Sequence, residues 1–215
     1  MVNVNRYKEI TSFLQTSHTT LVAVSKLKPA TDIAEMFELG QRDFGENYVQ
    51  ELVEKQAQLP SDILWHFIGH LQSNKVKYIA PFVHLIQSVD SEKLLKEIDK
   101  QAAKNNRKIN VLLQVHIAEE QTKFGFDEAE LMKLDVDLFA NVNIIGLMGM
   151  ATFTDDKEKV QREFEQLKSF YTQFNATKNV VLNTLSMGMS DDYELAINCG
   201  SNMIRIGSLL FGKRG

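Results

Sequence analysis

The feature that most constrains this chain is an alternation kept up from end to end: a short β-branched or apolar run, then a longer stretch with a helical apolar stripe. Strands are expected at 20–24, 42–44, 65–68, 84–87, 109–116, 144–150, 180–186 and 203–206, the second being the weakest. Between them, Leu94, Leu95, Ile98 and Ala102 share one face of a helix over 91–105, and Val160, Phe164, Leu167 and Tyr171 do so over 156–174. Thr31 and Asp127 stand where N-caps are expected, with Glu130 completing a capping box after Asp127. Strands alternating with helices require parallel pairing through right-handed crossovers, and eight such units can close a (β/α)8 TIM-type barrel. Barrels of this kind shrink to roughly 200 residues. At 215 residues, a compact α/β barrel with one extra N-terminal helix over 3–14 fits. An open doubly wound sheet would be marked by a G-x-G-x-x-G turn after the first strand, and none follows Val24.

Composition narrows the function. With 24 Lys+Arg against 28 Asp+Glu, the net charge is -4 with both signs interspersed, which argues against a nucleic-acid or anionic-membrane partner. One cysteine, Cys199, leaves no intramolecular disulfide and no multi-cysteine zinc site, so a reducing compartment, the cytoplasm, is expected. No signal-like or membrane-spanning apolar run appears, and no Pro/Gly/Ser-rich linker divides residues 1–215, which read as a single domain. The exposed helix faces carry no apolar seam, the pattern of a monomer.

In such a barrel, function gathers at the C-terminal ends of the strands. There stand Ser25-Lys26-Leu27-Lys28, Gly45-Glu46-Asn47-Tyr48, Gly69-His70-Leu71-Gln72, Ser186-Met187-Gly188-Met189-Ser190, and Arg205 running into Gly207-Ser208. Strand parity puts Lys26 in one row with Val22 and Val24, facing inward. A partly desolvated lysine amine has a lowered pKa and can attack a carbonyl to form a Schiff base. A lysine that snorkels to solvent from a strand end reads the same way, and Lys28 shares the parity of Lys26. Ile204 and Ile206 suit the helix-covered face of the last strand, which turns Arg205 inward, where it needs an acidic partner or a ligand. The loops holding Ser186, Gly188 and Ser190, and Gly207 and Ser208 before a short helix over 209–212, have the chemistry of a phosphate site. An amine, an arginine and a phosphate pocket around one mouth match pyridoxal 5′-phosphate (PLP); a sugar phosphate would also fit.

At these residues the sequence resembles the YggS/PROSC family of PLP homeostasis proteins, whose fold is similar to the barrel domain of alanine racemase. The segments that carry the resemblance are Leu21-Val22-Ala23-Val24-Ser25-Lys26, Gly45-Glu46-Asn47-Tyr48-Val49-Gln50-Glu51, His66-Phe67-Ile68-Gly69 with Leu71-Gln72-Ser73-Asn74-Lys75, Ser186-Met187-Gly188-Met189-Ser190-Asp191-Asp192, and Ile204-Arg205-Ile206-Gly207-Ser208. The resemblance implies that Lys26 holds PLP as an internal aldimine and that Asn47 lies beside the cofactor. It also implies that Ser186, Gly207 and Ser208 bind the phosphate and that Arg205 faces the pyridine nitrogen. Two departures are visible: His70 stands where the family more often has proline, and Gly146-Leu147-Met148-Gly149-Met150 varies the end of the sixth strand.

An arginine beside the pyridine nitrogen disfavours its protonation and weakens the ring as an electron sink. Racemisation remains possible with such an arginine, as the resemblance to alanine racemase implies, but it needs an acid/base group on each face of the substrate Cα. By resemblance, alanine racemase takes the second from a partner's C-terminal domain, and this sequence stops at Gly215, soon after the last strand. The expectation is therefore a carrier, buffer or regulator in intracellular vitamin B6 homeostasis, with PLP-dependent apo-enzymes as partners and no catalytic residue. A PLP-dependent amino-acid racemase is the alternative. No metal-ligand spacing appears; His18, His66 and His84 read as structural or surface residues, and His70 and His116 as rim or pocket residues.

Overall fold

In the computed structural model, which describes residues 2–118 and 124–212, eight parallel strands close in sequence order into a barrel. They are β1 (Thr20–Val24), β2 (Asp43–Glu46), β3 (Leu64–Phe67), β4 (Leu85–Val89), β5 (Ile109–Gln114), β6 (Val142–Met148), β7 (Thr184–Ser186) and β8 (Met203–Ile206). β1 pairs with both β2 and β8, which closes the ring. The helices are α1 (Val4–Leu14), α2 (Ala30–Glu38), α3 (Val49–Gln58), α4 (Val76–Ile79), α5 (Glu92–Lys104), α6 (Glu128–Lys133), α7 (Lys157–Thr177), α8 (Tyr193–Asn198) and α9 (Ser208–Phe211). The extra helix α1 buries Tyr7, Ile10 and Leu14 and is tied to α9 by the Asn3 amide, which donates to the Leu210 carbonyl at 2.7 Å.

Strand alternation sorts the side chains into two layers. Val22, Leu85, Leu112, Met148 and Met203 fill the inside of the barrel. Their neighbours Leu21, Ala23, Ile86, Val111, Leu113, Leu147, Ile204 and Ile206 pack outward against the helices. Each large apolar side chain buried this way contributes about 1.5–3 kcal/mol. Helix starts follow local chemistry. Ser91 caps α5, Asp156 caps α7, and Asp127 and Glu130 form the reciprocal capping box of α6.

Several sequence boundaries need correction. Thr31 does not cap α2: the cap position is Pro29, and Thr31 lies within the first turn. The fixed φ of proline suits a helix start, which outweighs the hydroxyl signal. β2 runs on to Glu46 rather than stopping at Phe44, since its carboxylate is buried against α3 instead of meeting solvent. β7 is only Thr184–Ser186, because Val181 in the preceding segment is exposed and unpaired in the sheet. β5 ends at Gln114, after which Val115 forms an isolated bridge with Phe126 while its amide still donates to the Met148 carbonyl at 2.8 Å. β3, β4 and β6 are offset by one or two residues from the expected spans. Among the described residues, no helix is long and apolar enough to cross a membrane.

Candidate functional site at the C-terminal mouth

The strand ends build the site from three sides. On the first, β1 runs into a tight turn that holds Lys26 at its second position, closed by the Lys28 amide donating to the Ser25 carbonyl at 3.0 Å. Leu27 adopts φ 61°, a left-handed conformation that a branched side chain takes only when its surroundings impose it. The restraint is visible: the Leu27 amide donates to Glu51 Oε1 at 2.6 Å. Lys28 Nζ donates to the Phe211 carbonyl at 2.8 Å, at the end of α9.

Beneath this turn lies a buried ionic cluster. Lys55 Nζ on α3 donates to Glu46 Oε1 at 2.7 Å, to Glu51 Oε1 at 2.6 Å and to the Ser25 carbonyl at 2.8 Å. The Ser25 hydroxyl donates to the same Glu46 oxygen at 2.6 Å. Burial pushes the Glu46 carboxyl above its ordinary value, while Lys55 and Ser25 pull it back. The three donors of one ammonium thus fasten the end of β1, the end of β2 and the first turn of α3 to each other.

On the second side, Asn47 follows Glu46 with the opposite parity. Its Oδ1 is buried without a hydrogen-bond partner, as is Glu46 Oε2. Such acceptors are costly to bury empty, so the Asn47 oxygen marks a place where a ligand donor would be favourable. The backbone of Asn47 is packed directly against Gly69, where an added Cβ would collide with the Asn47 carbonyl oxygen. Gly69→Ala is accordingly expected to displace the Asn47 segment and cost about 1–3 kcal/mol in denaturant unfolding.

On the third side, Arg205 projects from β8 into the barrel and is 4% exposed. Its Nη1 donates to Ser186 Oγ at 2.6 Å and its Nη2 to the Gly149 carbonyl at 3.1 Å, both neutral acceptors. Burial pushes the guanidinium down to about 10, partly offset by the Asp192 carboxylate, so it stays charged at neutral pH. Ser186 is also engaged from the other direction, donating to Gln87 Oε1 at 2.7 Å. The hydroxyl at the β8–α9 loop is instead that of Ser190, 3.4 Å from the Gly207 amide. Gly207 caps α9 and lies against β1, where a Cβ would meet Val24 at 3.3 Å.

The structure therefore brings Arg205 and Ser186 into contact and sets Gly207 and Ser208 at the start of α9 beside the end of β1. Sequence reading missed Lys55, Glu46 and Glu51 as the support of the Lys26 turn, and Gln87 as the partner of Ser186. Gln87 shares the inward parity of Leu85, which was the available signal. His70 Nδ1 pairs with Asp90 at 2.9 Å and its ring stacks on Phe124 at 4.0 Å, while the His116 amide donates to the Phe126 carbonyl at 2.9 Å. Among the described residues, no group of three or more His, Cys, Asp or Glu side chains is placed to hold a metal ion.

Comparison with known proteins gives a consistent set of relatives. The family model for the alanine racemase N-terminal domain matches residues 3–215. The chain is 40% identical over 202 residues to a pyridoxal phosphate homeostasis protein of Pasteurella multocida, covering 90% of this chain and 86% of that protein. It is 41% identical over 198 residues to the protein of the same name from Aquifex aeolicus, with the same coverage of both chains. Among solved structures it is similar to PipY of Synechococcus elongatus with PLP bound, at a TM-score of 0.88 and 37% identity, covering 97% of this chain and 99% of that one. An alanine racemase of Clostridium difficile, 14% identical with a TM-score of 0.78, covers 99% of this chain and 57% of its own, and shares the fold.

Proposed function

The chain belongs to the alanine racemase N-terminal domain family, among its pyridoxal phosphate homeostasis proteins, and from that premise we propose that it binds PLP at the C-terminal mouth and holds it covalently through Lys26. The observation that carries this reading is Arg205, a charged guanidinium buried at the mouth whose hydrogen-bond acceptors among the described residues are the neutral Ser186 hydroxyl and Gly149 carbonyl, with the Asp192 carboxylate acting on it through space. A buried cation of this kind is favourable where a ligand accepts from it. The fit extends to the empty acceptor of Asn47 and to the close approach of Gly207 to Val24, where a Cβ would be in tight contact at 3.3 Å.

PLP, when bound, supplies an aldehyde carbon open to an amine and a pyridine ring able to draw electrons. Lys26 provides the amine, presented by a turn whose geometry is set by Glu51 and Lys55. Arg205 would donate to an unprotonated ring nitrogen and, being charged, would oppose its protonation, which weakens the ring as an electron sink. Asn47 offers an acceptor. Gly207 and Ser208 with Ser190 offer the donors for the phosphate. Ser186, already committed to Gln87 and Arg205, serves the phosphate less directly than it serves the arginine.

The same reading makes the chain a single-domain, monomeric, cytoplasmic carrier or buffer of PLP rather than an enzyme. The test sets the two activities side by side. The PLP-loaded chain should reactivate a PLP-dependent apo-enzyme, while alanine in deuterated buffer should show slow or absent exchange of its Cα hydrogen. Rapid exchange with no cofactor transfer would replace this reading by a racemase-like one.

A further inference from the structure

A hydrogen-bonded chain crosses the inside of the barrel from its N-terminal end to Arg205, and each link has a fixed direction. At its start, Asp43 Oδ1 lies 2.9 Å from His66 Nε2, with the carboxylate partly exposed and the imidazole buried. An ionised carboxylate only accepts, so it keeps the proton of a neutral imidazole on Nε2 and leaves Nδ1 as an acceptor. Gln87 Nε2 donates to that Nδ1 at 2.9 Å, with the Met203 sulfur 3.3 Å from the same nitrogen. Gln87 Oε1 is thereby turned to Ser186, which donates its only proton there at 2.7 Å. The remaining lone pairs of Ser186 receive Arg205 Nη1 at 2.6 Å.

We propose that Asp43, His66 and Gln87 are positioning residues for Arg205, acting through Ser186 to fix the guanidinium that meets the cofactor ring. The inference rests on the reading of Arg205 given above and extends it from the mouth to the opposite end of the barrel. Its logic is that no link can reverse alone. If His66 Nδ1 carried a proton, it would face the donor side of Gln87, and the amide would have to turn over. Ser186 would then receive two donors and release its own proton toward a new acceptor, and Arg205 would share its anchor.

The experiment uses the full chain labelled with 15N-histidine and 15N-arginine, observed by NMR with and without PLP, together with PLP titration. In the unliganded protein His66 is expected to carry its proton on Nε2 alone. Gln87→Leu, which removes both amide links, is expected to move the Arg205 side-chain signals and weaken PLP binding about tenfold. Gln87→Glu, which still accepts from Ser186 but sets an acceptor against His66 Nδ1, is expected to draw a proton onto that nitrogen and to keep Arg205 nearer its wild-type signals than Gln87→Leu does. If Gln87→Leu does not fold, Asp43→Asn at the partly exposed end should move both the His66 and the Arg205 signals. A proton on His66 Nδ1 of the wild-type chain, or Arg205 signals unmoved by Gln87→Leu or Asp43→Asn, would overturn the proposal. Coupled His66 and Arg205 signals in a wild-type chain that binds no PLP would leave the chain of positioning residues standing and overturn the cofactor reading instead.

Discussion

Replacing Lys55 with methionine is expected to cost the fold about 3–5 kcal/mol in denaturant unfolding at pH 8, the largest stability effect of any single side chain at the mouth. The reason is the company it leaves. Glu46 has no exposed side-chain surface and would keep only the Ser25 hydroxyl as donor, while Glu51 would lose its strongest partner. The loss should also depend on pH, with a sign fixed by Glu46. Its carboxyl already sits above its ordinary value in the folded chain because of burial, and removing the ammonium raises it further. A carboxyl raised on folding contributes stability that is fully present below its unfolded pKa and is lost as pH rises through the folded one. Lys55→Met should therefore be less destabilised at pH 5 than at pH 8, as the neutral acid is cheaper to bury. A pH-independent loss would mean that Glu46 is solvated in the variant.

The second large effect concerns the cofactor. Lys26→Ala should abolish covalent attachment of PLP and weaken its binding by about 100-fold, roughly 2.8 kcal/mol. Lys28→Ala is the informative contrast. Its amine is occupied by the Phe211 carbonyl, so removing it should loosen the end of α9 while the covalent link persists. Equal loss of attachment in both variants would mean that the turn as a whole, rather than one amine, is what binds.

How far the sequence carried these conclusions can be judged from particular residues. The strand–helix alternation led to the closed barrel because a period-2 row of Val22 inside and Leu21 and Ala23 outside is legible in any parallel strand buried on both faces. The same parity turned Ile204 and Ile206 outward and Arg205 inward. Boundaries failed where burial contradicts composition. Glu46 extends β2 although glutamate disfavours strands, because Lys55, nine residues away, neutralises it in space. Thr31 looked like a cap, but Pro29 had already set the helix start. The support of the Lys26 turn was out of reach for a similar reason. Nothing local in Leu27 announces a left-handed backbone, and the carboxylate that imposes it belongs to Glu51 on the next helix. His66 read in the sequence only as a structural or surface residue and Gln87 only as the end of a strand, and a pairing between neighbouring strands cannot be read before the barrel is closed.

The most direct test of the account is borohydride reduction of the PLP-loaded wild-type chain, followed by proteolysis and mapping of the modified peptide. The account predicts that the visible absorbance of the bound cofactor disappears and that a single stable adduct is found on Lys26. Label spread over surface lysines, or absent while PLP remains bound, would contradict it and leave a phosphate-binding barrel whose ligand is held without a covalent bond.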